Sequence, residues 1–212
     1  MPSDKNYFDE SAARWDDHPQ RVAMMRAVGE AIVRQARPTR DVTVMDYGCG
    51  TGLVGLYLLP HVRSVTGADN SAGMLEMLGR KIAEGGLENM RAVRLDLQTD
   101  PAPGERYGMI VASMSLHHIG DVERTLRAFH EMLLPGGVVC IADLDTEPGT
   151  FHSGPAAASV HHHGFDRAEM IGLLESVGFV EAKDSTVIEF TRPVEGGGEA
   201  TYSIFLITAK RP

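Results

Sequence analysis

The sequence predicts an α/β fold: a Rossmann-like, doubly wound seven-stranded sheet, mainly parallel, with an antiparallel C-terminal hairpin and helices ahead of the first strand. Three observations predict it. From Val42 onward, short β-branched runs alternate with segments that carry apolar residues at helical spacing. The first run passes into alternating glycines, Gly48, Gly50 and Gly52, and the second ends on an acid, Asp69. The last two runs are joined by residues 192–200, too short for a crossover helix, so that pair is antiparallel.

Taken in order, residues 7–17 and 20–37 read as two helices split by Pro19. Strands are expected at 42–47, 64–68, 91–95, 109–113, 138–143, 179–190 and 202–209. Helices are expected at 53–59, 72–84, 122–134 and 167–177, stopped by Gly85-Gly86, Pro135-Gly136-Gly137 and Gly178. Asp121 and Asp166, the latter with Glu169 three residues on, read as helix caps. Residues 1–40 are expected to form lid helices over a single unit of residues 41–212.

Composition narrows the function. The 212 residues are 43% hydrophobic, and no 18-residue apolar run occurs, so a membrane-inserted chain is not expected. Twenty basic residues against 29 acidic give a net charge of -9, which disfavours nucleic acid or an anionic membrane as the main partner and leaves a local basic patch possible. The oligomeric state is not legible. Two cysteines make no disulfide framework, and the first residues carry no apolar leader segment, so a cytoplasmic protein is expected.

The informative stretch runs from Val44 to Leu53, an apolar strand that enters three glycines and then a helix. Glycines there let a ligand lie against the backbone. Asp69 stands where doubly wound sheets place the carboxylate that accepts from ribose hydroxyls. Residues 50–55 also satisfy the dinucleotide pattern G-x-G-x-x-G, but Asp46 would face a pyrophosphate with no compensating charge. A nucleoside without phosphate and with a positive charge suits that aspartate better.

Asp46-x-Gly48-x-Gly50-x-Gly52, Asp69, Asp96-Leu97, the stretch Ser113 to His118, Leu133 to Gly137 before the fifth strand, and the segment Phe8 to Asp16 together resemble the class I S-adenosylmethionine-dependent methyltransferases, notably the small-molecule, ubiquinone- and menaquinone-type members. The resemblance covers most of the chain. It implies S-adenosylmethionine as cofactor, S-adenosylhomocysteine as product, and direct SN2 transfer to a small acceptor. It implies that Asp46, Gly48, Cys49, Gly50 and Gly52 line the methionine and ribose portion, and that Asp69 with Asn70 takes the sugar. Asp96 would accept from the adenine amino group, with Met74 and Leu97 on the ring faces, and Ser113 and Met114 would close the pocket. Tyr7, Phe8 or Trp15 would face the sulfonium from the lid.

An acceptor that loses a proton needs a base, and His117 and His118 are the candidates, with Asp143 and Asp145 behind them. His161, in the run His161 to His163, would rim the acceptor opening. Adjacent histidines point different ways, so neither cluster supplies three convergent ligands and no metal is expected. A non-catalytic S-adenosylmethionine-binding module and, less favoured, an NAD-linked oxidoreductase stay open.

Overall fold

A computed structural model describes residues 4–194 and 197–212. Gly196, expected in the turn of the last hairpin, and the first three residues of the expected lid segment lie outside the described residues. The chain runs α1 (Asp4–Ser11), a 3-10 turn (Ala12–Asp17), α2 (Pro19–Ala36), β1 (Thr43–Tyr47), α3 (Leu53–Leu58), β2 (Ser64–Asp69), α4 (Ala72–Gly85) and β3 (Met90–Arg94). It continues through β4 (Tyr107–Ser113), α5 (Val122–Met132), β5 (Leu133–Leu144), α6 (Arg167–Val177), β6 (Val180–Pro193) and β7 (Glu199–Lys210).

The seven strands lie in the order β3-β2-β1-β4-β5-β7-β6, parallel except for β7, which is antiparallel to both β5 and β6. Side chains alternate along β1, so Val44 and Met45 enter different cores on the two faces of the sheet. One core holds Leu126 and Phe129 of α5 and Leu174 of α6; the other holds Val28 and Ile32 of α2, Leu58 of α3 and Leu78 of α4. Pro19 sits in the first turn of α2, where its missing N–H costs nothing. The strand order reverses between β1 and β4, and the carboxyl ends of these two strands open the crevice in which such sheets bind ligands.

The fifth helix is shorter than the sequence predicts. It ends at Met132, because Leu133 already pairs with Tyr107 as β5 begins. Pro135 to Gly137 form an irregular stretch inside β5 instead of a helix stop. Gly136 takes a left-handed φ of 76°, and a Cβ on Gly137 would stand 2.8 Å from the Leu134 carbonyl oxygen.

Candidate active site

At the end of β1 the glycine loop turns back toward β2, Gly48 and Cys49 both donating their N–H to the Ala68 carbonyl at 2.8 and 3.1 Å. Gly48, Gly50 and Gly52 all have left-handed φ, but they do different work. A Cβ on Gly48 would strike Ser115 at 2.5 Å, and one on Gly52 would strike Leu78 at 2.5 Å. On Gly50 it would meet only the Met74 sulfur, 3.9 Å away, so this backbone faces the open cavity. Gly50 donates its N–H to Asp69 Oδ2 at 2.8 Å, and Ser71 donates to Asp69 Oδ1 at 2.9 Å.

Two carboxylates therefore stand at the loop. Burial raises the pKa of Asp69 against the N–H groups of Ser71 and Gly50 that favour its charge. Asp46, 1% exposed, accepts from the Gly55 N–H at 2.9 Å, and burial pushes it up to about 7. Lys81 reaches the loop at the Thr51 carbonyl but is already paired with Asp16 at 2.5 Å. A pyrophosphate would meet two carboxylates here, whereas a cationic nucleoside is favoured by both.

The loop opens into a cavity of about 1160 Å³ that also exposes Asn70, Met74, Asp96, Ser113 and Met114. Asp96 lies on the turn after β3, its Oδ1 accepting the Gln98 N–H at 3.0 Å. Met114, φ 51°, holds the left-handed conformation that a non-glycine residue rarely adopts, and its N–H is fixed on the Ala142 carbonyl at 2.8 Å. That bend carries the chain from β4 into the turn that bears His117 and His118.

His117 is 1% exposed and its Nδ1 lies 2.6 Å from Asp143 Oδ1. Burial works to raise the Asp143 pKa, but the imidazole and the Leu144 N–H outweigh it and hold the carboxyl below its usual range. His118 Nδ1 donates to the Ser159 carbonyl at 2.9 Å, and burial, with His117 beside it, lowers the His118 pKa to about 4. His152 joins them from the loop after β5, its ring centroid 4.9 Å from that of His117 and 5.1 Å from that of His118. Burial lowers the His152 pKa to about 3, helped by the two histidines. All three line the cavity.

The N-terminal segment forms part of the wall of this space. Asp9 accepts from Ser71 Oγ at 2.5 Å and from the Gly73 N–H at 2.9 Å, which docks α1 on the start of α4. Asp16 takes the Thr51 hydroxyl at 2.7 Å. Tyr7, Phe8 and Trp15 line the cavity in a chain of ring contacts, Tyr7 edge-on to Phe8 at 5.3 Å and Phe8 tilted against Trp15 at 5.7 Å. The Arg21 guanidinium already lies 3.8 Å from the Trp15 ring centre, so one face of the indole is taken.

Three expectations need correction. Leu97 does not face the cavity: Tyr47 Oη takes its N–H at 3.1 Å and the side chain goes into the core beside α5, leaving Leu95 and Met74 on the cavity wall. At Gly52 the missing side chain leaves room for Leu78. Asp145 is no base candidate, since Arg167 grips both its oxygens at 2.6 Å and Ser203 donates at 2.5 Å. Adjacent histidines do not point apart here: the His117 and His118 ring centroids are 4.1 Å apart and His152 from another loop joins them, so three ring nitrogens converge where no convergent set was expected.

His161 lines the cavity, whereas His163 is exposed and lies 3.5 Å from Glu147. Sequence reasoning missed His152. The signal was available: it lies in a loop at the carboxyl edge of the sheet, the edge on which such folds build sites. Glu147 positions it by accepting the N–H groups of Thr150 and Phe151 at 2.7 and 3.0 Å. Arg21, Met25, Phe151 and Arg192 also line the cavity unforeseen.

A family model described as a methyltransferase domain matches residues 17–181. An uncharacterized methyltransferase of Schizosaccharomyces pombe is 27% identical over 155 residues, 67% of this chain and 55% of that protein. A ubiquinone biosynthesis O-methyltransferase of Azorhizobium caulinodans is 26% identical over 170 residues, 71% of this chain and 65% of that protein. The chain thus matches between half and two thirds of these relatives' lengths. Phosphoethanolamine N-methyltransferase 2 of Haemonchus contortus, solved with phosphomonomethylethanolamine and S-adenosylhomocysteine, superposes with a TM-score of 0.70 at 13% identity, covering 87% of this chain and 52% of that one. At that identity the likeness is one of fold.

Proposed function

Because this chain belongs to the methyltransferase domain family, we propose that it moves a methyl group from S-adenosylmethionine to a small-molecule acceptor by direct SN2 transfer. One observation carries the reading: a single cavity joins the Gly50, Asp69 and Asp96 surface to the His117, His118 and Phe8 surface. Its volume of about 1160 Å³ lies above the roughly 300–1000 Å³ usual for a ligand pocket, which supports room for a donor beside an acceptor.

When bound, the donor supplies a methyl group on a cationic sulfur. The chain's own part is to bind, align and exclude water. In this reading Gly48, Cys49 and Gly50 lie along the donor, Asp69 and Asn70 hold its ribose, Asp96 takes the adenine amino group and Met74 packs on the ring. Asp46, when ionised, attracts the positive charges. Ser113 and Met114 form the wall beneath the methionine part. Residues 1–40 act as a lid over a unit of residues 41–212, with Tyr7, Phe8 and Trp15 turned to the transferring group. The acceptor lies among Met25, Phe151, Phe190 and His161, and its proton leaves on the side of His117 and His118.

No helix among the described residues is long and apolar enough to cross a membrane. A cytoplasmic site of action belongs to the proposal and draws on the two buried, unpaired cysteines, Cys49 and Cys140.

The test is incubation with methyl-labelled donor and cell extract. Release of S-adenosylhomocysteine with label in a low-mass metabolite is expected; label confined to RNA or protein overturns the reading.

A further inference from the structure

We propose that His117, His118 and His152 form a binding site for a divalent transition-metal ion, with an open coordination position turned to the acceptor end of the cavity. One ligand nitrogen from each ring lies within 4.8 Å of the other two. A tetrahedral ion with Zn–N bonds of about 2.0–2.1 Å sets its nitrogens about 3.4 Å apart. The closing movement is roughly 1.5 Å, and His152, half-buried on a loop, is the ligand free to make most of it.

The surroundings of the three rings are what a metal site requires. The Nδ1–H of His117 donates to the Asp143 carboxylate, which is itself fixed by the N–H groups of Leu116 and Leu144 at 3.0 and 2.8 Å. The Nδ1–H of His118 donates to a backbone carbonyl. In both rings the proton is thereby placed on Nδ1 and the Nε2 lone pair is left bare, the tautomer that outer partners impose on metal-bound histidines. His117 Nε2 is buried and has no hydrogen-bond partner, a cost that a bound cation would remove. Three neutral imidazoles and no oxygen donor favour Zn2+, Co2+ or Ni2+ over Mg2+ or Ca2+. Three protein ligands leave a fourth position open, as catalytic sites do.

This assignment rests on the proposed reading only for its role in turnover. A hydroxylated acceptor that meets the cation loses its O–H proton to solvent more readily. The oxygen pair then forms the C–O bond as the S–CH3 bond breaks, and the thioether leaves neutral. The proton-accepting task expected of the two histidines passes in this way to solvent.

The test uses the untagged full chain, stripped with EDTA and titrated with Co2+ and Zn2+ by visible absorption and calorimetry. One equivalent of Co2+ with the d–d band of a four- or five-coordinate ion is expected, displaced by Zn2+. His152→Ala, with its fold checked by circular dichroism, should lose that band. Asp143→Asn should weaken binding by about 10–100-fold, and His163→Ala should change nothing. No stoichiometric uptake, or uptake that survives His152→Ala, overturns the site. Metal binding without methyl transfer would instead count against the proposed activity, and undiminished transfer by the stripped, metal-refusing enzyme would leave that activity standing alone.

Discussion

Phe8 stands edge-on to His118, their ring centroids 5.1 Å apart and their planes at 83°. The N-terminal helix therefore touches, through one side chain, the turn that carries the histidines. Phe8→Ala removes an edge-to-face pair of about 0.5–1.5 kcal/mol and uncovers His118, at the proposed acceptor end. We expect kcat/KM for the acceptor to fall by roughly tenfold, with the melting temperature little changed, in steady-state assays beside thermal melts. Unaltered kinetics would detach this helix from catalysis.

Gly50 and Gly52 separate binding from folding. A methyl group at Gly52 collides with Leu78 at a φ of 84°, so Gly52→Ala should destabilise the protein strongly. At Gly50 the methyl enters the cavity, and the left-handed backbone alone costs about 1–2 kcal/mol. Gly50→Ala should melt only slightly early yet bind S-adenosylhomocysteine poorly in calorimetry. Equal melting losses in the two variants would refute the distinction.

Asp69→Ala removes the carboxylate proposed to take the ribose and also frees the Gly50 N–H. Affinity for the cofactor should drop by about 1.5–3 kcal/mol, the scale of a hydrogen bond to a charged group. Calorimetry that shows unchanged affinity would take Asp69 out of the site.

Asp46 sets a pH dependence with a definite sign. Its folded pKa of about 7, raised by burial and then by the Asp69 charge, exceeds the unfolded value of about 3.9. Between these values the folded state holds the extra proton, so stability falls as pH rises from about 4 to about 7 and levels off above. The urea midpoint of Asp46→Asn relative to wild type should therefore rise over that window. Affinity for the cationic donor should rise with pH in the wild type, because the ionised carboxylate attracts it, and stay flat in the variant. Parallel stability curves would contradict the assignment.

The sheet and its glycine loop were legible because their signals are local: alternation, apolar spacing and turn residues lie within each segment. Side-chain direction was not. Leu97 turns inward because a tyrosine hydroxyl from β1 holds its N–H, and Gly52 is required by Leu78 of α4; neither partner is near in sequence. His117 and His118 were found as a pair, whereas their convergence with His152 depends on the loop after β5 folding back, which no spacing encodes. The helix ending at Met132 was misjudged because β5 begins before Pro135, and strand pairing overrides a turn signal.

Trp15 is the chain's single tryptophan, and it sits in the N-terminal segment against the Arg21 guanidinium and the Phe8 ring. Indole emission from this protein is consequently a one-site optical reporter on the proposed lid. Rapid-mixing fluorescence on unlabelled enzyme can time the arrival of donor and acceptor separately, without a chemical probe.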